Sequence, residues 1–352
     1  MHKTKETFSK KLRLWNNGNT REMPWKGEKD AYKIWLSEII LQQTRVQQGM
    51  AYYECFLKHY PTIIHLANAN DTEVFKLWEG LGYYTRCKNL LITARYIRDN
   101  GKGVFPNTYE SILALKGVGP YTAAAIASFA YNLPYAVVDG NVFRVLARVF
   151  NNNTAIDSIV GKKYFAQLAN ELLDKKQPAI YNQAIMDFGA TICTPALPKC
   201  GICSLNTICE AFTQNTQLQL PVKEKRLVKK NRFFSYFIFR LRNTTWINKR
   251  GAGDVWENLH EYYLVENDEK QVWNNLLVKD FLYNNLQITD VTINAISNNY
   301  KQQLTHQTIH IQFIDIELKI VPSSLPNYWI ENTLITTLAF PKTLVLHQRN
   351  NY

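Results

Sequence analysis

Four cysteines close together in the chain could hold a metal centre. Cys193, Cys200, Cys203 and Cys209 follow the spacing C-x6-C-x2-C-x5-C and are four of the six cysteines in 352 residues. Zinc sites usually pair their ligands as two short C-x2-4-C knuckles set well apart, and only one short knuckle exists here. The spacing therefore favours one compact loop around an iron–sulfur centre over zinc or disulfides.

A glycine turn precedes these cysteines. The run LKGVGPY at residues 115–121 places Gly117 and Gly119 where two helices can approach closely, and Pro120 suits a helix start. Exposed N–H groups in such a turn can hold a DNA phosphate without reading sequence. Gly-Val-Gly alone is more typical of an ordinary tight turn. The residues that follow, TAAAI at 122–126 and VVDGNVFRV at 137–145, instead favour a helix–hairpin–helix motif, which would span about residues 109–129.

Length and charge set the wider limits. A chain of 352 residues has room for about two domains, and its net charge of +12 is typical of a protein that binds a polyanion. No apolar run is long enough for a membrane span, and the charged N-terminus lacks the apolar core of a signal peptide. Cys55 and Cys87 are expected to be unpaired thiols. The reducing cytoplasm is the expected compartment.

Helical periodicity dominates the first part of the chain. Apolar positions predict helices over residues 109–115, 121–129, 164–173 and 180–188, and a short one near 75–81. We therefore expect a helical catalytic region over residues 1–212, with the cysteine loop at 193–209. Residues 213–232 are polar and then basic, which predicts an interdomain linker.

In the last part of the chain, apolar and polar residues alternate with a period of two. Residues 233–241 place aromatic side chains on one face of a predicted strand. A second strand, residues 308–320, switches the parity of its apolar positions between Phe313 and Ile314, which predicts a β-bulge. Residues 233–349 should therefore form an α+β domain.

Taken together, these motifs resemble the helix–hairpin–helix DNA glycosylases that carry a four-cysteine cluster loop, and within them the MutY-type adenine DNA glycosylases. The resemblance extends over nearly all of residues 8–349. It is strongest in WLSExxLQQT at 35–44, GLGYY at 80–84, the hairpin, VVDGN at 137–141 and the cysteine loop. It implies a [4Fe-4S] cluster held by the four cysteines and a monomer that acts on double-stranded DNA containing an adenine:8-oxoguanine mispair. It also implies a bacterial protein of the cytoplasm that is associated with the nucleoid through DNA.

The resemblance implies a catalytic set of Glu38, Asp139, Tyr121 and Asn141. Adenine must be protonated to leave, and the cationic sugar must be stabilised, a task for which glycosidases use two carboxyl groups. Glu38 would be the acid, although a glutamate at the flank of an apolar stripe is ordinarily a solvated surface residue. Asp139 would stabilise the sugar, and its place before a helix also makes it a good N-cap. A desolvated position beside Trp35 would raise the pKa of Glu38.

The resemblance also implies residues that bind the substrate. The adenine pocket would contain Arg21, Trp25, Lys26 and Gln183, and DNA would contact Gly117, Val118, Gly119, Gln43, Thr44, Leu81 and Tyr83. The C-terminal domain would be Nudix-like and would read 8-oxoguanine through Thr305 and His306, where relatives often have Phe-Ser-His and this chain has Leu304 in place of the phenylalanine. The glutamate-rich box of Nudix hydrolases does not occur after residue 233, so the fold would serve in binding.

Two alternatives compete with this hypothesis. Bifunctional glycosylase/lyases of the endonuclease III type share the hairpin and the cluster, but they carry a lysine nucleophile where this chain has Tyr121, and without an amine no Schiff base can form. A non-catalytic iron–sulfur DNA-binding protein would not need Glu38, Tyr121 and Asp139 together. Assays of base release would separate these classes.

Overall fold

The structure is a computed structural model that describes residues 2–19, 21–224, 228–325 and 327–351. The chain divides into two compact units. We call Met1–Asn68 with Lys88–Lys225 the helical unit, and Ala69–Cys87 with Arg226–Tyr352 the sheet unit. Composition alone groups residues 69–87 with the helical region instead.

The predicted linker is partly packed. Residues 225–227 of that segment lie outside the described residues. Upstream of them, Leu220 is buried in the core of the helical unit, and the Ile156 N–H donates to the carbonyl oxygen of Val222 at 3.0 Å. The polar stretch after the cysteine loop therefore follows the surface of the helical unit as far as residue 222.

Each predicted helix is present in the structure, with its ends shifted by a few residues. The helices are α1 (His2–Asn16), α2 (Ala31–Leu41), α3 (Val46–His59), α4 (Ile63–Asn68), α5 (Asp71–Leu77), α6 (Thr85–Gly101), α7 (Tyr109–Leu113), α8 (Pro120–Tyr131), α9 (Gly140–Val149), α10 (Ile159–Leu172), α11 (Pro178–Thr191), α12 (Glu210–Thr213), α13 (Asn275–Leu286), α14 (Asn332–Ile335) and α15 (Lys342–Asn351). Two short 3-10 turns, Cys200–Ile202 and Asn206–Ile208, lie between α11 and α12. Among the described residues, no helix combines the length and the apolar character needed to cross a bilayer.

Helix α8 lies at the centre of the helical unit. Its residues 122–128 are all buried and mostly alanine, so its backbone can pack closely against α2. Gly119 is its N-cap and Pro120 its first residue, where the missing proline N–H costs nothing because that group has no helical partner. The two helices thereby bring the last turns of α2 beside the first turn of α8.

A mixed sheet forms the sheet unit. Its strands are β1 (Lys230–Leu241), β2 (Thr244–Trp246), β5 (Tyr263–Asn267), β6 (Val291–Ile296), β7 (Tyr300–Gln303), β8 (Gln307–Leu318) and β9 (Trp329–Glu331), and β3 (Asn248–Lys249) pairs separately with β4 (His260–Glu261). The order is β6-β8-β1-β2-β9, with β5 also paired to β1 and β7 to β8. Strands β1 and β8 are parallel and the other pairs are antiparallel.

The β-bulge predicted within residues 308–320 is wrong in its position. Strand β8 runs beside β1 without interruption from 307 to 317, and the irregularity lies in β6, between Ile293 and Ala295. The parity of β8 changes because both of its faces are buried. Ile314 and Ile316 pack in the core under α13, whereas the ring of Phe313 stacks on His347 of α15, with centroids 3.9 Å apart.

Candidate active site

Glu38 lies near the end of α2 with its carboxyl group buried, and its residue is only 8% exposed. The hydroxyl group of Tyr121, on the first turn of α8, donates a hydrogen bond to it. Burial raises the pKa of Glu38 to about 7, the Tyr121 hydrogen bond lowers it in part, and the nearby charge of Asp139 raises it. A carboxyl group in this state holds a proton near neutral pH and can give it to a leaving group.

Asp139 is the N-cap of α9. Its Oδ1 accepts from the Val142 N–H at 2.8 Å and its Oδ2 from Asn141 Nδ2 at 2.7 Å, while Arg144 Nη2 donates to Asn141 Oδ1 at 2.8 Å. Burial raises the pKa of Asp139, and the hydrogen bonds from Val142 and Asn141, with the charge of Arg144, oppose that rise. Of the two buried carboxyl groups, Asp139 is therefore the better placed to carry the negative charge, and Glu38 the proton.

A third carboxylate organises the other side of the cavity. Asp187, on α11, is buried, and its Oδ2 accepts from Lys26 Nζ at 2.7 Å. Its Oδ1 accepts from Gln183 Nε2 at 3.1 Å, one turn earlier on the same helix. The ring of Trp25 packs edge-on against Tyr53, with centroids 5.4 Å apart.

One cavity of about 690 Å³ brings most of the predicted residues together. Those that line it are Arg21, Trp25, Lys26, Glu38, Gln43, Thr44, Tyr121, Asp139, Asn141 and Gln183, and Asp187 joins them. Trp35 does not belong to the wall formed by the described residues; it is buried against Tyr32 and Phe105 instead. A cavity of this size accommodates a nucleobase, with an acid at one wall and polar groups at the other.

Comparison with known proteins identifies the family. Residues 36–174 match the model of the HhH-GPD superfamily base excision DNA repair proteins. An adenine DNA glycosylase of Buchnera aphidicola subsp. Baizongia pistaciae (strain Bp) is 31% identical over 348 residues, which cover 95% of this chain and 94% of that protein. The chain belongs to the adenine DNA glycosylases. The human adenine DNA glycosylase is 39% identical over 222 residues, which cover 60% of this chain and 41% of the human protein.

Solved structures of related glycosylases share the fold of the helical part. A thermostable thymine-DNA glycosylase superposes with a TM-score of 0.57 at 28% identity, covering 60% of this chain and 98% of that one. Endonuclease III in a non-covalent DNA complex gives a TM-score of 0.52 at 18% identity, covering 59% of this chain and 95% of that one, which shows the fold alone.

The hairpin of this adenine DNA glycosylase is a tight turn between α7 and α8. Gly117 has φ +78°, and a Cβ there would lie 2.8 Å from the Cβ of Asn89, so both conformation and space require glycine. Gly117 and Gly119 are exposed, whereas Val118 is buried. Thr93 Oγ1 donates to the carbonyl oxygen of Lys116 at 2.8 Å and fixes the turn from the side of α6. The two glycines are thus the accessible part of the turn, whereas the Val118 N–H donates to the carbonyl oxygen of Leu115 at 3.1 Å.

The cysteine loop is bound to α9 by two arginines. Arg144 Nε donates to the carbonyl oxygen of Cys193 at 2.7 Å. Arg148, which is almost fully buried, donates from Nη1 to the Thr194 carbonyl at 2.7 Å and from Nη2 to the Pro195 carbonyl at 2.8 Å. Arg148 Nη1 also lies 3.4 Å from the Sγ atom of Cys193.

The four cysteines line a single small cavity together with apolar residues such as Phe188 and Leu205 and with Arg148. Within the described residues, no three His, Cys, Asp or Glu side chains are grouped as ligands of one metal ion. An all-thiolate set around one cavity nevertheless fits an iron–sulfur cluster, because each cysteine of such a cluster binds a different iron. Burial, followed by the neighbouring thiols, raises the pKa of Cys203 to about 11. A cationic metal centre would stabilise the thiolate form and so oppose this rise in the pKa.

Two further predicted residues meet in the sheet unit. Tyr83 has φ +50° and is 45% exposed, in a turn between Gly80 (φ +90°) and Thr85 at the start of α6. Its hydroxyl group forms a hydrogen bond with the hydroxyl group of Thr305. Thr305 lies with the exposed His306 in the hairpin between β7 and β8. Leu81, expected to contact DNA, is buried.

The turn that carries Tyr83 is anchored to the end of the sheet unit. Glu79 Oε2 accepts from the Phe340 N–H at 2.9 Å, and Lys76 Nζ donates to Glu79 Oε1 at 2.9 Å and to the Leu338 carbonyl at 3.0 Å. The guanidinium of Arg86 lies over the Tyr83 ring, 5.5 Å from its centroid. These contacts fix the position of Tyr83 relative to the β7–β8 hairpin.

Sequence reasoning missed three residues of the site. Asp187 was visible only as an acidic residue four positions after Gln183, on the same helical face. Arg144 belonged to a quoted motif, but no role could be given to it. Gly189 gave no signal: a Cβ there would lie 2.7 Å from the Cβ of Asn141, and its carbonyl accepts from Arg144 Nη2 at 2.7 Å.

Proposed function

We propose that this glycosylase removes adenine mispaired with 8-oxoguanine or guanine, by hydrolysis alone, and leaves an abasic site in an intact strand. The arrangement of Glu38, Tyr121 and Asp139 along one cavity is the observation that carries the proposal. It supplies a proton donor and a negative charge for a base that has left the helical stack.

The reaction follows from the ionisation states of the two carboxyl groups. Protonated Glu38 gives its proton to a ring nitrogen of adenine, and the bond between N9 and C1′ of the sugar breaks, so adenine leaves as a neutral molecule. The positive charge that develops on the sugar faces the carboxylate of Asp139, which Val142, Asn141 and the charge of Arg144 support. Water then adds to C1′, and its proton passes to a carboxylate of the pair.

The lack of an amine at residue 121 supports hydrolysis without strand cleavage. The first turn of α8 presents the phenol of Tyr121, whose pKa burial raises well above its ordinary value. A neutral phenol can donate a hydrogen bond to Glu38, but it cannot form an iminium with the sugar. Lys26, which also lines the cavity, is engaged by Asp187 at 2.7 Å.

Two exposed side chains in left-handed backbone conformation are proposed to enter the space of the flipped base. Gln43 has φ +58° and Tyr83 has φ +50°. Residues other than glycine rarely adopt this backbone conformation, and where they do it often marks a functional position. An amide and a phenol can fill the space and still bond to base edges. Thr44 lies next to Gln43, and the backbone of Gly117, Val118 and Gly119 would hold a phosphate.

The opposite base would be read by the Nudix-like domain, taken as residues 233–349. 8-Oxoguanine carries a hydrogen on N7, where guanine has an acceptor. The hydroxyl group of Thr305 can accept that hydrogen, and the exposed His306 lies beside it. The hydrogen bond between Thr305 and Tyr83 supports a shared role of these two side chains in recognising the lesion.

We further propose that Cys193, Cys200, Cys203 and Cys209 hold a [4Fe-4S] cluster. The bound cluster would supply a structural centre that fixes the loop and presents its single basic residue, Lys199, to DNA. Arg148 and Arg144 hold the loop to α9 independently, through its carbonyl oxygens. Iron and sulfide analysis of natively expressed protein should give roughly four of each per chain; stoichiometric zinc without sulfide would contradict the cluster.

Base release from a defined duplex tests the proposal. The substrate carries one adenine opposite 8-oxoguanine, with guanine and thymine opposite as controls. Adenine should be released in the first two duplexes, with the strand intact until alkali is added and little adduct trapped by borohydride. Strong trapping by the unmodified protein would place it with the glycosylase/lyases.

A further inference from the structure

Asp187 is the most deeply buried carboxylate of the cavity, and the reaction above assigns it no part. Its side chain is 2% exposed and accepts from two residues that line the cavity, Lys26 and Gln183. A carboxylate paired with an ammonium group can only accept hydrogen bonds. The partner atom on Gln183 must therefore be the nitrogen Nε2, which is 3.1 Å away.

This contact fixes which end of the Gln183 carboxamide faces the cavity. Gln183 lines the cavity, and its nitrogen is turned toward Asp187. The carboxamide therefore presents the acceptor Oε1 at its other end. The exocyclic amino group of adenine is a donor, whereas a purine with oxygen at C6 offers an acceptor at the same place. Two facing acceptors leave a buried polar group without a partner, which is costly.

We propose that Asp187 is a positioning residue that sets the preference of the cavity for a 6-amino purine over a 6-oxo purine, by holding the Gln183 carboxamide with its oxygen toward the base. The inference rests on the proposed function, since it concerns the base that the same cavity accepts. Asp187 would act on the base only through the orientation of Gln183, without contact with the sugar or with Glu38.

The test compares two bases in one duplex context. Single-turnover release of adenine and of hypoxanthine, each opposite 8-oxoguanine, gives the ratio of the two rates. In Asp187→Asn the residue can donate as well as accept, so the Gln183 carboxamide is free to reverse. The adenine-to-hypoxanthine ratio should fall by about 10- to 100-fold, the scale of one mismatched buried hydrogen bond.

A double variant separates positioning from mere support of the fold. In Gln183→Glu with Asp187→Asn, the donor and the acceptor exchange places: the asparagine amide introduced at position 187 donates to the new carboxylate, which still offers an oxygen to the base. Lys26 keeps a carboxylate nearby. The ratio should return to within a few-fold of the unmodified value. A purely structural role for Asp187 does not lead to this recovery.

Two single variants serve as controls. Lys26→Arg keeps a cation beside Asp187 and should preserve the ratio, even if both rates change. Asp174→Asn removes the carboxylate of the exposed pair with Arg13, in the same unit but outside the cavity, and should leave ratio and rates unchanged.

The outcomes are distinguishable. If the unmodified protein releases no adenine, the proposed function fails, and this inference with it. If it releases adenine but the ratio is the same in Asp187→Asn, only the inference fails. Should Asp187→Asn not fold, the double variant decides, because a collapsed ratio there would overturn the positioning role and a preserved ratio would support it.

Discussion

Replacing Glu38 by glutamine should slow adenine release and, at alkaline pH, stabilise the protein. Glutamine keeps the shape of the side chain and can still accept the hydrogen bond from Tyr121, but it has no proton to give. The loss of a general acid lowers a rate by about 10²-fold or more. Binding to the mispaired duplex should persist, because the change leaves the cavity wall intact.

The stability change follows from the pKa of Glu38. Burial raises that pKa from 4.5 to about 7 in the folded protein, and each step of one in pKa is worth about 1.4 kcal/mol. Ionised Glu38 therefore costs the folded state roughly 3 kcal/mol. Between the two pKa values the folded protein binds more protons than the unfolded chain, so its free energy of unfolding decreases as pH rises. The stability is fully present below about pH 4.5 and is lost as pH approaches about 7.

Glutamine does not titrate and so escapes this loss. Urea unfolding of Glu38→Gln and of the unmodified protein should give nearly equal stabilities at about pH 5 and a difference of roughly 3 kcal/mol, in favour of the variant, at about pH 8. In parallel, single-turnover adenine release by the unmodified protein should fall as pH rises through about 7, because the acid is then ionised.

Glu54→Gln is the matched control. Glu54 is exposed on α3, so the same chemical change there should alter neither adenine release nor the free energy of unfolding at pH 8. The reasoning would be refuted if Glu38→Gln released adenine within a few-fold of the unmodified rate. It would also be refuted if the variant showed no gain in stability between pH 5 and pH 8, since Glu38 would then not be a desolvated acid.

Three further changes test other contacts of the site. Gly189→Ala places a Cβ 2.7 Å from the Cβ of Asn141, so it should lower the free energy of unfolding by about 1–3 kcal/mol and slow adenine release. Gly201→Ala has open space around its Cβ and should change neither quantity in the same assays. Tyr121→Lys should create a borohydride-trappable adduct and some strand nicking, and an absence of trapping would show that position 121 cannot reach the sugar. Glu79→Gln weakens the anchor of the Tyr83 turn, so amide hydrogen exchange in residues 80–84 should increase and the preference for 8-oxoguanine over guanine should decrease; unchanged exchange would mean that the anchor is not needed.

Local signals in the sequence were enough to predict the catalytic helices. Pro120 and Asp139 mark the starts of α8 and α9 through effects confined to one helical turn: a fixed φ and a side-chain cap. The contacts that surround Glu38 could not be read in this way, because they come from other parts of the chain. Burial raises the pKa of Glu38, whereas the hydrogen bond from Tyr121, on another helix, lowers it in part and the charge of Asp139 raises it further.

Periodicity reports how many faces of a strand are buried, and this explains the misplaced bulge. A strand with one buried face shows a single parity, and a change of parity is then a sign of an extra residue. Strand β8 has a core on each side, since Ile316 packs under α13 and Phe313 against α15. The sequence alone could not separate these two cases, because the second core is built by a helix some thirty residues further along the chain.

A single helix links Asp139, which we propose to stabilise the sugar, to the cysteine loop. The N-cap of α9 is Asp139, held by Asn141, and the next turns carry Arg144 and Arg148. Arg144 donates both to Asn141 Oδ1 and to the Cys193 carbonyl, so one guanidinium spans the two sites. A displacement of the Cys193 carbonyl would therefore break its hydrogen bond with Arg144 or move the guanidinium that holds Asn141 beside Asp139. If Asp139 stabilises the sugar, as we propose, we expect the loop to affect base release without contacting the base.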